Sequence, residues 1–245
     1  MTVRIQIPPA LIEWAVDRSG RDAADLRERF PALDAWRAGT GKPTLRQLES
    51  FARATYTPVG YLFLPTPPDE RLPVADFRGG RGASRARPSA NLLDTIALCE
   101  QRQDWFRQFA RTSGFDRLEY VGSLTISDKP TAAAEAISAA LGFAVADRGQ
   151  FRTWTEALTG LVSLAEDAGA LVMVSGVVGS NTHRTLDPVE FRGFALADDL
   201  APVVFINGAD TKASQIFTVA HDKNSLHIKT ESKFCLSIVV VKRML

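Results

Sequence analysis

The sequence predicts an α+β protein in two units, a small helical domain followed by a larger one in which a small sheet packs on helices. Three observations predict it. Short amphipathic segments broken by Gly and Pro fill the chain up to about residue 66, and a Pro-, Gly- and Arg-rich stretch follows. Beyond that, segments of helical period are followed by short β-branched or alternating runs. At 245 residues, 45% of them apolar and 23% charged, the chain can bury one large or two modest cores.

In residues 10–64, Leu11, Trp14 and Ala15 recur at helical spacing, and "RDAADLRERF" resumes a helix after the break at Gly20. "TLRQLESFARAT" (44–55) sets Leu45, Leu48, Phe51 and Ala52 on one stripe, with Thr44 as its N-cap. Between these helices only "PALDAWR" is available, with Pro31 at its start and Leu33 and Trp36 as packing residues, so any helix there is short. Residues 65–89 read as a linker or a draped arm. Arg78, Arg81, Arg85 and Arg87 make it the one local positive patch, and its glycines lack the Gly-Lys-Ser/Thr ending of a phosphate loop.

A long helix follows in "SANLLDTIALCEQRQDWFRQFARTSG", capped by Ser89 and ended by Gly114, with Leu92, Ile96, Cys99, Phe106 and Phe109 as its recurring face. "TAAAEAISAALG" (131–142) and "TWTEALTGLVSLAEDAG" (153–169) are helical by period and closed by Gly. "ALVMVSG", "FRGFALAD" and "APVVFING" are the strands. His183 falls among turn residues in "GSNTHRTLDP". The last helix opens at Asp210 as N-cap and turns Ala213, Ile216, Phe217 and Ala220 inward, with His221 at the edge of that face.

Charge and cysteine usage exclude several classes. A net charge of +1 gives the whole chain no bias toward nucleic acid or an anionic membrane. Cys99 and Cys235 are no disulfide framework and fit a reducing cytoplasm. Glu13 and Asp17 interrupt the apolar core a signal peptide would need. The longest apolar run, residues 170–179, falls far short of the roughly 20 residues that span a bilayer. A cytoplasmic protein without a membrane partner is the expectation.

Several blocks resemble the ImmA/IrrE-type zinc metallo-endopeptidases that carry an N-terminal Xre-like helix-turn-helix. They are "KPTLRQLESFARAT" with "PVGYLFLP", "LPVADFR", "LLDTIALCEQRQDWFRQFA", and "VSGVVGSNTHRTLDPVEFRGFALADDLAPVVFINGADTKASQIFTVAH", in the family's order over about residues 1–221. The resemblance implies a helix-turn-helix-like domain over 1–66, a linker over 67–89 and the N-terminal part of a peptidase domain over 90–221. It also implies zinc as cofactor, a transcriptional repressor as the cleaved partner, and His-Glu-x-x-His on the helix after "VFING". Residues four apart on a helix lie about 40° apart and about 6 Å along it, so two imidazoles reach one metal, and the adjacent Glu serves as general base.

This chain departs from that pattern after the first ligand. His221 stands at the first zinc position, Asp222 at the general-base position and Ser225 where the second His belongs. Asp222 is one methylene short, and a hydroxyl at 225 is a poor ligand. His227 is the remaining substitute, but six residues on it lies about 120° round an unbroken helix and about 9 Å along it. For the third ligand, Glu231 is out of register and Cys235 reads as a small core residue. Composition changes at the same place: up to His221 there are 21 Arg and 3 Lys, and from Asp222 onward 1 Arg and 4 Lys with no Ala, Gly or Pro. Residues 222–245 therefore read as an aberrant tail from a shifted reading frame or an inserted element. The expectation is an endopeptidase relative that is inactive, with zinc unbound or weakly bound.

The rival reading is a non-enzymatic regulator that binds a repressor or DNA through its first domain. Arg27, Arg29, Arg37, Lys42 and Arg46 are the residues that would face phosphates, although nine basic and seven acidic groups over 1–66 are a weak surplus. Arg192 and Asn207, on strands flanking the site, are candidates for substrate contacts or for ordinary strand hydrogen bonds.

Overall fold

The computed structural model describes residues 3–70, 88–124, 135, 138–140, 142–143, 149–227 and 234–235, with the backbone alone for 220–227 and 234–235. The molecule is α+β. It divides into two compact units, one built from the described residues up to 70 with 88–93 and the other from those at 94 and beyond. The Arg-rich patch at 78–87, Glu231 and most of the helix expected over 131–142 lie outside the described residues, though 135 and 138–140 are helical.

The first unit holds α1 (Pro9–Ser19), α2 (Ala23–Arg29), α3 (Leu33–Arg37), α4 (Leu45–Ala54) and a 3-10 turn at Val59–Phe63. Pro9 sits in the first turn of α1, where a missing N–H costs nothing, and Gly20 ends that helix at φ 62°. Thr44 and Gln47 form a reciprocal capping box: the Gln47 N–H donates to Thr44 Oγ1 at 3.2 Å and the Thr44 N–H to Gln47 Oε1 at 2.9 Å. Leu11, Leu26, Leu33, Leu48, Phe51 and Leu62 are the fully buried centre. Phe51 receives Phe30 edge-on at 5.6 Å and Trp36 at 6.0 Å. Leu45, expected on the buried stripe, is 48% exposed because it stands in the first turn of α4, one side of the cap.

The second unit contains most of α5 (Ala90–Thr112), then α6 (Trp154–Asp167), β1 (Leu171–Ser175), β2 (Val177–Val178), β3 (Asn181–Thr185), β4 (Gly193–Leu196), β5 (Val203–Asn207), α7 (Lys212–His227) and β6 (Phe234–Cys235). The main sheet runs β1-β5-β4-β6. β1 is parallel to β5, with Leu171 opposite Val203, whereas β4 is antiparallel to both β5 and β6. β4 and β5 are buried at every position, so their apolar runs are continuous and not alternating. α6 and α7 cover the face carrying Val204, Ile206 and Ala195. On the other face Phe194 stacks on Phe205 at 5.0 Å, and α5 places Cys99 Sγ 3.7 Å from Met173 Sδ. No described helix is long and apolar enough to cross a membrane.

Three expectations about faces need correction. On α5 the buried stripe is Leu92, Ile96, Cys99, Gln103 and Ala110, while Phe109 is 46% exposed and stacks on Trp105. Apolar residues on that helix occupy two stripes, and period alone does not say which one meets the sheet. His183 lies on β3 of the β2–β3 hairpin, not in a turn. On α7 the buried residues are Gln215, Thr218 and Val219; Ile216 packs against the core as expected, Ala213 is exposed, Phe217 is at the surface, and the side chain of Ala220 lies outside the description. Polar side chains with local backbone partners took the inward positions that period assigned to apolar ones.

Burial pushes the Cys99 thiol up to about 12. At pH 8 its thiolate fraction is then about 10⁻⁴, against roughly a quarter for an ordinary thiol with pKa near 8.5. In a Cys235→Ser background the native chain should react with a disulfide reagent about 1,000-fold more slowly than the urea-unfolded chain; equal rates would contradict the burial. The sign for stability is that of a raised acid. The contribution is complete below the unfolded pKa near 8.5 and is lost progressively as pH rises from there toward the folded value of about 12.

Candidate functional site

The region of interest is the junction from β5 into α7, because it carries the residues expected to bind metal. β1 and β5 end against each other at Gly176 and Gly208, where a Cβ on Gly208 would lie 3.0 Å from the Gly176 nitrogen. A side chain there would have to push the facing backbone away, so glycine suits the approach. The chain then turns under three polar locks, two of them buried. Asn207 is fully buried; its Nδ2 donates to Phe191 O at 3.0 Å and its Oδ1 accepts the Ala209 N–H at 3.0 Å. Gln215, also buried, donates from Nε2 to Gly208 O at 3.1 Å and to Asp210 O at 2.6 Å. Asp210 Oδ1 accepts the Thr211 N–H at 2.7 Å, and its buried Oδ2 faces Arg192 Nε at 3.5 Å.

Thr211, not Asp210, caps α7. Its Oγ1 accepts the Ser214 N–H at 3.3 Å and its carbonyl receives the Gln215 N–H at 2.9 Å. Two good capping residues stand side by side here, and the strand-end turn consumes the first. The junction fixes where α7 starts and in which direction it runs. Asn207 spends its amide on the hydrogen bonds of that turn, whereas Arg192 keeps a half-exposed guanidinium whose contact there is the ion pair with Asp210.

α7 continues without a break through His227. His221, Asp222, Ser225 and His227 all lie on it, their side chains outside the description. The helical backbone places 221 and 225 on one face one turn apart, and it places 227 about 120° from 221 and about 9 Å along the axis. His221 and His227 are therefore not brought together. Cys235, whose backbone lies on β6 opposite Ala195, pairs across the sheet edge at β4.

The residues considered for phosphate contact fall in the first unit. Arg27 is tied to Asp34 at 3.1 Å, and Arg29 covers the Phe30 ring at 5.6 Å. Arg37 binds Glu13 with two hydrogen bonds at 2.5 and 2.6 Å, and Glu13 raises its pKa above the ordinary value. Lys42 and Arg46 are exposed. α3, the element between α2 and α4, is five residues long with Leu33 and Trp36 buried.

Gln215 and Gln103 are the residues of this unit that sequence reasoning missed. The one available signal was a polar residue recurring on an otherwise apolar stripe. No protein-family model, curated protein or solved structure matches the chain.

Proposed function

We propose that this chain is a catalytically inactive relative of the ImmA/IrrE-type zinc endopeptidases, and that it acts by binding a transcriptional repressor without cleaving it. The observation that carries the reading is the continuity of α7 from Lys212 to His227. A zinc centre of that type needs a second imidazole one turn after the first, where this chain has Ser225, and His227, the other imidazole on the helix, lies about 120° round it and about 9 Å along it from His221. The residue types along α7 do not fit zinc. What supports the wider relationship is the placement of His221 on the helix that follows a buried central strand, packed with α6 beneath the sheet.

The N-terminal unit favours a protein over a duplex as partner. Major-groove readers present a full helix of exposed polar side chains. Here α3 has five residues and buries two of its large ones. Arg27 and Arg37 are already neutralised by Asp34 and Glu13.

Metal analysis tests the reading. Full-length protein dialysed against trace zinc is expected to retain far less than one zinc per chain by mass spectrometry. A stoichiometric content that disappears in both His221→Ala and His227→Ala would overturn it, since that pair can share an ion only if the helix breaks between them.

A further inference from the structure

Among the described residues, the outer edge of β1 is unpaired. The Leu171 N–H donates to Pro202 O at 2.8 Å and the Gly208 N–H to Ser175 O at 2.9 Å. The parallel register between those points turns the peptide groups of Leu171, Met173 and Ser175 toward β5. Those of Val172 and Val174 point away, and among the described residues no strand pairs with them. Edge strands are ordinarily guarded by Lys, Pro or a bulge. β1, with the sequence LVMVS and an unshifted register, has none of these, and Val174 is 44% exposed.

Beside this edge runs a groove of about 480 Å³, with Phe106 and Phe115 on one wall, Glu166 and Gly169 at one end and Met173 at the other. Its aromatic wall continues outward: Phe115 meets Phe109 at 5.8 Å, and Phe109 stacks on Trp105 at 6.0 Å. Trp105, Phe109 and Phe115 are 66%, 46% and 51% exposed, an unusual concentration for rings on one surface. At the Met173 end, Arg102 Nη1 lies 3.5 Å from Met173 Sδ. Arg102 is exposed and has no carboxylate partner among the described residues.

We propose that this edge is a docking site for an extended segment of a partner protein, which adds to β1 as a further strand. Such a segment places an apolar side chain in the Phe106–Phe115 groove and an acidic one against Arg102. Backbone bonds to Val172 and Val174 would supply affinity and the two side-chain positions specificity. The acid belongs at the Met173 end, because Glu166 holds the other. Charge also decides against a second copy of this chain. Antiparallel pairing of two β1 edges about Met173, with the two-fold perpendicular to the sheet, keeps both α5 helices on one face and sets the two Arg102 side chains against each other. The inference is independent of the reading of α7.

The test uses the full chain and a short fluorescein-labelled peptide that alternates valine with aspartate around a central phenylalanine. Saturable binding by anisotropy is expected. Val174→Pro should weaken it about tenfold, the loss of one backbone hydrogen bond, while leaving the β1–β5 ladder intact because the 174 N–H points outward. Arg102→Glu should weaken it similarly and shift preference to the peptide with lysine in place of aspartate. The Val172 and Val174 amides should exchange freely in the unliganded chain and slow when peptide is added. The proposal is overturned by absent or non-saturable binding, by equal affinity in Val174→Pro, or by amides already protected in the free chain. It is equally overturned if light scattering finds a dimer that Val174→Pro dissolves.

Discussion

Asp222→Glu combined with Ser225→His should raise the zinc affinity of the chain at least about 100-fold. α7 is helical through both positions, so the new imidazole at 225 lies about 40° and about 6 Å from His221, a geometry that two ligands of one ion can share. Even an outer-shell partner of a metal ligand is worth 10–100-fold in affinity, so a direct ligand should gain at least about 100-fold. Competition with a chromophoric chelator reads the difference. Asp222→Glu alone should gain nothing, because the carboxylate at that position acts on the metal-bound water and does not hold the ion. Removing His221 from the rebuilt chain should return it to the starting affinity. If the double variant gains nothing, positions 221 and 225 do not present a common open face.

Gln103→Leu should weaken the second unit by about 2–5 kcal/mol, close in size but opposite in polarity though the two side chains are. Gln103 is buried on α5, and its Nε2 donates to Leu196 O at 3.0 Å and Ala201 O at 2.9 Å. Those two carbonyls bracket the connection from β4 to β5. With leucine in place they stay buried without the donor that now serves them. A protein of two units does not melt as a single transition, so a global unfolding curve would blur the effect. Amide exchange measured on a peptide spanning β4 and β5 isolates it, and protection there should fall while that of α1 and α4 holds. Unchanged protection would mean that water replaces Gln103 at little cost.

Where the structure obeys local rules, the sequence was readable. The Thr44 cap, the Gly20 stop, the burial of Leu33 and Trp36 and three of the four strands of the main sheet all follow from turn chemistry, caps and apolar patterning. Gln103 and Gln215 were harder because a periodic reading sends polar residues outward. These two turn inward to serve carbonyls at strand ends, a need that exists only once the strands are assembled, whereas Asn207 makes the strand hydrogen bonds its position suggested. The β2–β3 hairpin was missed for the opposite reason. Residues 181–185 are polar and exposed, so no alternation marks them as a strand. On α7 the helix and its continuity were legible, whereas of its inward face only Ile216 was.

The pairing of Leu171 with Val203 also has a temporal side. The first unit is made of neighbouring helices and can settle as soon as its residues leave the ribosome, whereas β1 has no mate until β5 is synthesised. At about 5–20 residues per second the nascent chain carries that valine-rich segment unpaired for on the order of seconds. Conditions that slow translation between those two strands would lengthen the interval in which one growing chain can adhere to another.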